Sequence, residues 1–239
     1  AEMLFTSPPY SDMREYEGGD LSIENLVLFI PSWKDYFEYA CVNLGMKRKD
    51  GYIVPFWDLY IKKFSDNGMG LLSWNIWQKN DAGSIANQTA MFGIVHEWIF
   101  VFGQQPKKLN RIVENKTAGS KAGLNRRLAD GTVQRTSGPA DVYDFRQLDT
   151  IVFCDVKRGN NGVDHPAQFP VELPRMYIES MTDKNNIVAD PFLGSGTMMV
   201  AAENIGRRCY GTELSPAYGA VILQRMITAF PDINIYKAE

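Results

Sequence analysis

The stretch from Asp190 to Thr197, Asp-Pro-Phe-Leu-Gly-Ser-Gly-Thr, constrains this chain more than any other. Ahead of it, residues 186–189 form a short apolar run, too brief for a helix and right for a buried strand. Behind it, Met198 to Ile205 is apolar and Ala-rich and predicts a helix closed by Gly206. A strand therefore ends at Asp190, the chain turns through Gly194 and Gly196, and a helix opens near Thr197. Glycine has no Cβ, so the backbone can turn sharply there and a ligand can come close to it. The helix N-terminus adds free N–H groups and a positive dipole end. A second apolar strand, residues 209–212, ends at Glu213, 23 residues after Asp190. That spacing sets a carboxylate beside the loop, where it can accept both hydroxyls of a ribose. The pattern is a nucleoside-binding strand–helix–strand unit. No Lys follows Gly196, as a triphosphate-binding loop requires, and position 199 is Met where a dinucleotide fingerprint needs a third Gly.

This stretch resembles the DPFxGSGT segment of DNA amino-methyltransferases, which binds S-adenosylmethionine in that family. The likeness continues through Ala201, Ala202, Gly206, Arg207, Gly211, Glu213 and Tyr218. It implies a cofactor site made by Asp190, Pro191, Phe192, Gly194, Ser195, Gly196, Thr197, Glu213 and the adjoining Leu214. Residues 165–170, His-Pro-Ala-Gln-Phe-Pro, are similar to a stretch that lines the methionine end of the cofactor in the same family. By resemblance His165, Ala167 and Phe169 join the cofactor set.

Near the N-terminus a short apolar strand runs into Pro8 and Pro9, which cannot donate ladder hydrogen bonds and so end it. Thr6-Ser7-Pro8-Pro9-Tyr10 resembles the family's catalytic motif, in the variant with Ser where many members have Asp or Asn. The chemistry explains these residue types. An exocyclic base amine is a poor nucleophile because its lone pair is delocalised into the ring. Acceptors aimed at its N–H groups favour the pyramidal, attacking geometry and the positive charge that develops. Ser7 Oγ and the Pro8 carbonyl are the candidate acceptors, held in place by the proline rings. Tyr10 offers a flat face for an extruded base, worth roughly 1–3 kcal/mol by analogy with single-strand binders.

Between residues 107 and 135 eight basic residues face two acidic ones, Glu114 and Asp130, with few large apolar side chains. Such a segment cannot build a core. It can contact phosphates, and its Arg, Asn and Gln can read base edges. Lys107, Lys108, Arg111, Lys121, Arg126 and Arg127 are its candidate DNA contacts, joined by Arg14 from an Arg-x-Tyr that the family carries after its Pro-Pro-Tyr. The family's target-recognition segment lies at this place in the order. Since the whole chain carries a net charge of −3, any basic surface has to be local.

With 45% hydrophobic residues the 239-residue chain can bury a substantial core as one domain with an insert. The resemblance implies an α/β fold: a Rossmann-like, mostly parallel mixed sheet with helices on both faces, circularly permuted. The expected parts are a catalytic half over 1–103, a recognition segment over 104–149 and a cofactor-binding half over 150–239. Further strands are predicted at residues 52–57, 71–77, 96–102, 151–154 and 232–236, and helices at 171–181 and 217–230. Trp33, Tyr36, Phe37, Ala40, Cys41 and Leu44 follow helical spacing and predict an amphipathic helix with Ser32 as its cap. Residues 11–32 are polar and read as a loop holding a helical turn. His96, beside Glu97, reads as a packing residue.

No apolar run approaches the ~18 residues of a membrane span, and no signal pattern opens the chain. Cys41, Cys154 and Cys209 lack metal-ligand spacing and read as small buried hydrophobes in a reducing cytoplasm, so no metal is expected. Ala1 opens almost directly on a strand, so residues upstream of it are expected. The resemblance points to double-stranded DNA as substrate and leaves a homodimer open. Carbon-5 methylation is disfavoured because the sequence has no Pro-Cys pair. Ser7 leans towards cytosine N4 over adenine N6. The rivals are a catalytically inactive DNA-binding or cofactor-sensing homologue and an RNA or protein-amide methyltransferase.

Overall fold

The computed structural model describes residues 1–9, 26–27, 34–79, 94–119, 121–122, 125–135, 140–141, 143–155 and 169–234. Seven strands make the main sheet: β1 (Met3–Thr6), β2 (Tyr39–Leu44), β3 (Gly70–Gln78), β4 (His96–Gly103), β5 (Ile151–Phe153), β6 (Ile187–Asp190) and β7 (Arg208–Gly211). Their order across the sheet is β5-β3-β4-β2-β1-β6-β7. Only β4 runs antiparallel to its neighbours, pairing Cys41 with Val101 on one side and Trp74 with Phe100 on the other. β1 lies between β2 and β6, parallel to both. The N-terminal motif and the 190–197 loop thus leave neighbouring strands at the same end of the sheet.

Side chains alternate across the strands, and each face is covered. Met3, Phe5, Cys41, Ile99 and Val101 point to one face. There they meet helices α2 (Glu172–Met181), α3 (Thr197–Asn204) and α4 (Pro216–Ala229) through Leu173, Ile178, Ala201 and Ile222. Leu4, Ala40, Val42, Phe100 and Phe102 point to the other face, where Tyr60 and Phe64 of α1 (Trp57–Asp66) cover them. Phe64 stacks flat on Phe102, ring centroids 4.0 Å apart. This is the mixed, mostly parallel sheet with helices on both faces that the sequence implies.

Two expectations are corrected. Residues 39–44 are strand β2, not part of a helix, and residues 34–36 form a turn. All six residues of β2 are buried, because this central strand is covered on both faces. A nearly continuous apolar run, broken in β2 only by the buried Asn43, fits helical spacing by accident, since most of its positions are apolar. Residues 52–57 are not one strand either. Tyr52–Ile53 pairs with Arg48–Lys49, and the chain enters α1 at Trp57. Pro55 ends the extended run, and the buried stripe of Tyr60 and Phe64 sets the helix.

Leu26 and Val27 are helical and buried; the rest of the 11–32 loop lies outside the described residues. Of the last predicted strand, Asp232 sits in a turn and residues 233–234 form no strand, while residues 235 and 236 lie outside the description. The basic segment proves more ordered than composition suggests. Val113–Glu114 pairs with Phe145–Arg146, Lys121–Ala122 with Ala140–Asp141, and Asn125–Arg127 with Val133–Arg135, all antiparallel and nested. Together they make one interrupted β-hairpin arm. Its tip turns at Gly131 (φ +84°), where Asp130 accepts from the backbone N–H and hydroxyl of Thr132.

Candidate active site

β6 ends on Asp190, whose side chain is 1% exposed. Its Oδ1 accepts from Thr6 Oγ1 at 2.7 Å and from the Phe192 N–H at 3.0 Å. The first bond ties the last residue of β1 to the first residue of the loop. Burial, opposed by the two hydrogen bonds and helped a little by the nearby Glu213 charge, leaves the Asp190 carboxyl raised to about 7. A carboxylate in that place serves the loop's shape; it is enclosed rather than offered to solvent.

The loop then passes through two left-handed residues, Gly194 (φ +54°) and Gly196 (φ +78°). L side chains avoid that region, which is why glycines stand there. A Cβ on Gly196 would also press on Ile222 of α4 at 3.1 Å. The Gly196 N–H donates to the Leu193 carbonyl, and the Leu193 N–H to the Thr212 carbonyl beyond β7. Glu213 closes the arrangement: Oε2 accepts from the Gly194 N–H at 2.8 Å and Oε1 from the Ser215 N–H at 2.9 Å. Carboxylate-to-amide bonds of this kind are among the stronger hydrogen bonds. Each carboxylate oxygen keeps a further lone pair, and the side chain is half-buried, so it can still accept from a sugar hydroxyl.

Several contributors carried no role in the sequence reading. Thr6 stood in the motif, yet its bond to Asp190 emerges only from the pairing of β1 with β6. Arg225 of α4 donates to the Ser195 carbonyl at 2.9 Å and the Thr197 hydroxyl at 3.1 Å, bracing the loop from below. Burial lowers the pKa of its guanidinium. The available signal was its spacing, three residues after Ile222 on the face that packs inward. Gly211 is a third: a Cβ there would strike the Leu193 side chain and lie 2.7 Å from the Asp190 carbonyl oxygen.

The expected site residues assemble in part. Ser7 and Pro9 are half-buried and Pro8 is buried, all just past the end of β1. Phe169 packs edge-on against Phe5 of β1 at 5.8 Å, on the helix-covered face. Leu214 is exposed beside Glu213. Tyr10, Arg14, His165 and Ala167 lie outside the described residues. His96 packs near Trp98, ring centroids 5.8 Å apart, consistent with a packing role. In the arm, Arg127 is exposed, and the side chains of Lys121 and Arg126 lie outside the description. At its root, Lys108 is exposed and the Arg111 guanidinium sits over the Tyr143 ring at 3.5 Å. Lys107 is turned to the body, donating to the Met181 carbonyl at 2.9 Å. Among the described residues no group of three His, Cys, Asp or Glu converges as a metal site, and no helix is long and apolar enough to cross a membrane.

The family model of N6/N4 DNA methylases matches residues 1–224. The chain belongs to that family. Among curated relatives, the DNA adenine methyltransferase YhdJ of Escherichia coli is 24% identical over all of this chain and 79% of its own length. Among solved structures, the cytosine-N4-specific PvuII DNA methyltransferase superposes with a TM-score of 0.66 at 20% identity, over 98% of this chain and 81% of its own. The M1.HpyAVI–SAM complex does so with a TM-score of 0.62 at 19% identity, over 94% and 88%. Both superpositions bear out the Rossmann-like fold. An adenine enzyme and a cytosine enzyme are thus both similar to this DNA amino-methyltransferase.

Proposed function

We propose that this chain transfers a methyl group from S-adenosylmethionine to an exocyclic amine of a base flipped out of double-stranded DNA, cytosine N4 in preference to adenine N6. The observation that carries the reading is the Thr6–Asp190 hydrogen bond, which fixes the Ser7-Pro8 end of β1 beside the glycine loop. The residues present fit the cofactor. The left-handed Gly194 and Gly196 leave the loop's backbone open to close approach, and Glu213 retains acceptor capacity at the end of β7. Pro191, Phe192, Gly194, Ser195, Gly196, Thr197, Glu213 and Leu214 hold the nucleoside, with Asp190 fixing the loop behind them, and His165, Ala167 and Phe169 hold the methionine end. When bound, S-adenosylmethionine supplies an activated methyl group on a sulfonium.

The chain's own residues prepare the amine. Ser7 Oγ and the Pro8 carbonyl accept from its two N–H groups, which favours the pyramidal nitrogen and stabilises the positive charge that grows on it. The Tyr10 ring stacks on the base. The arm, with Lys108, Arg111, Lys121, Arg126 and Arg127, lies along the phosphates. The N4 preference rests on Ser7 standing where many members of the family have Asp or Asn.

The test is incubation with labelled S-adenosylmethionine and mixed DNA, then nucleoside mass spectrometry. We expect N4-methylcytosine. Ser7→Ala should lower single-turnover methylation on the order of 10²-fold, the scale of one preorganised polar group, with cofactor affinity intact. Label appearing only in RNA or protein, or binding of DNA and cofactor without any transfer, would replace this reading with one of its rivals.

A further inference from the structure

A cavity of about 220 Å³ lies away from the glycine loop, towards the amino ends of β2 and β3. Its walls include Tyr39, Asn75, Val101 and the last turn of α2, and Leu109 and Leu148 from the two roots of the arm. Those roots are latched to the body around it. The Asn110 N–H donates to the Ser180 carbonyl at 2.8 Å, and the Ile76 N–H to the Thr150 carbonyl at 2.7 Å.

Inside the cavity the polar groups are neutral, and one is unsatisfied. Asn75 Nδ2 donates to the Tyr177 hydroxyl at 3.1 Å, and Asn75 Oδ1 accepts from Ser73 Oγ. Ser180 is 2% exposed, lines the cavity, and its hydroxyl has no partner among the described residues. Leaving a buried hydroxyl unpaired is costly, so native proteins satisfy such groups or use them. One water needs only about 10–15 Å³ by this measure, so the space far exceeds what that hydroxyl alone requires. The two charged residues at the wall have opposite signs, and both are engaged. Lys107 bonds the Met181 carbonyl and Asp149 pairs with Arg146. The Ser180 hydroxyl calls for a neutral donor or acceptor, and an ionised ligand would lose its hydration against walls that are mostly apolar.

We propose that this cavity is a second binding site, taking a small neutral aromatic heterocycle of one or two rings. The ring fills the space between Tyr39, Val101 and Leu148, and its polar edge pairs with the Ser180 hydroxyl. The site does not depend on the methyl-transfer reading, and its test needs no cofactor or DNA.

The probe is benzimidazole at pH 8, where it is neutral and carries both a donor and an acceptor. Binding is followed by saturation-transfer NMR and by the melting temperature of the full chain, and located by amide hydrogen exchange. At millimolar concentration benzimidazole should raise the melting temperature and slow amide exchange at residues 107–110 and 148–150. Ser180→Ala removes the orphan hydroxyl without creating strain. It should leave the free protein at least as stable while weakening the probe about tenfold or more. Leu148→Trp fills the cavity from a partly buried position at the root and should abolish binding. No binding up to ten millimolar, which would leave the cavity to water, overturns the proposal. So does equal affinity in the parent and Ser180→Ala.

Discussion

Residues 187–215, a strand–loop–helix–strand unit, and residues 113–146, a set of short paired strands, both turn on glycines, yet they are held in different ways. In the first, the polar groups that shape the glycine loop are engaged from inside the fold. Asp190 takes Thr6 and the Phe192 amide, Glu213 takes the amides of Gly194 and Ser215, and Arg225 takes Ser195 and Thr197. In the second, the ladders are two or three residues long, and Val133, Tyr143 and Phe145 are 61%, 66% and 51% exposed. The loop is determined several times over, whereas the arm's shape rests on its own ladder. That is the division expected when one region must hold an invariant small molecule and the other must follow a duplex. A preorganised site gains from rigidity, and a reader of sequence gains from adaptable contacts at the surface.

The largest effect should come from glycines that look alike in sequence. Gly211→Ala would drive a Cβ into the Leu193 side chain at its branch point and against the backbone carbonyl of Asp190. Overpacking of this kind costs typically about 1–3 kcal/mol, more where backbone is struck. Cofactor affinity measured by calorimetry should be lost with it. Gly131→Ala at the arm tip meets nothing within 4 Å and bears only the strain of φ +84°. A left-handed alanine costs roughly 1–2 kcal/mol, confined to the tip, so cofactor affinity should hold. Equal loss of cofactor binding in the two variants would erase the contrast between loop and arm.

A smaller effect, and a more specific one, attaches to Asp190. Its carboxyl titrates near 7 in the folded chain because of burial, against about 3.9 when unfolded. Between those values the native state holds a proton that the unfolded state has released. This group's contribution to stability therefore falls as pH rises from about 4 to about 7, and is flat on either side. Asp190→Asn keeps an oxygen for Thr6 and Phe192 and does not titrate. Melting curves should show the parent losing ground to Asp190→Asn across that window and the gap constant above it. Parallel profiles would mean that the carboxyl is not enclosed as described.

These residues also show what the sequence could say. Strand, turn and helix at 187–204 were legible because the apolar run, the glycines and the Ala-rich stretch each have one cheap solution. Strand β2 was misread because burial on both faces removes the alternation that distinguishes a strand from a helix. The entry to α1 was hidden by β-prone aromatics at Phe56 and Trp57 whose role is packing, Trp57 against Trp98 at 4.8 Å. Thr6 and Arg225 act across 184 and 28–30 residues of chain, and such contacts leave no local trace. The arm was visible as charge and not as a hairpin, because ladders so short carry no period to detect.

The smallest effect concerns Arg127, on the strand that leads into the arm's tip. Its side chain is exposed, and among the described residues its strand is paired only with Val133–Arg135. Nothing in the core depends on it, so Arg127→Ala should melt with the parent and bind the cofactor equally well. What it should change is DNA affinity and, above all, the dependence of that affinity on salt. A phosphate that is no longer neutralised by a guanidinium keeps its counterions, and the log–log slope flattens by about one unit. The measurement is a titration of duplex DNA at four or five salt concentrations, parent and Arg127→Ala side by side. Affinity weakened equally on all sequences marks a phosphate contact, and weakening confined to one sequence marks a base contact. An unchanged slope and affinity would make this part of the arm a solvated loop, and would move the DNA to another surface.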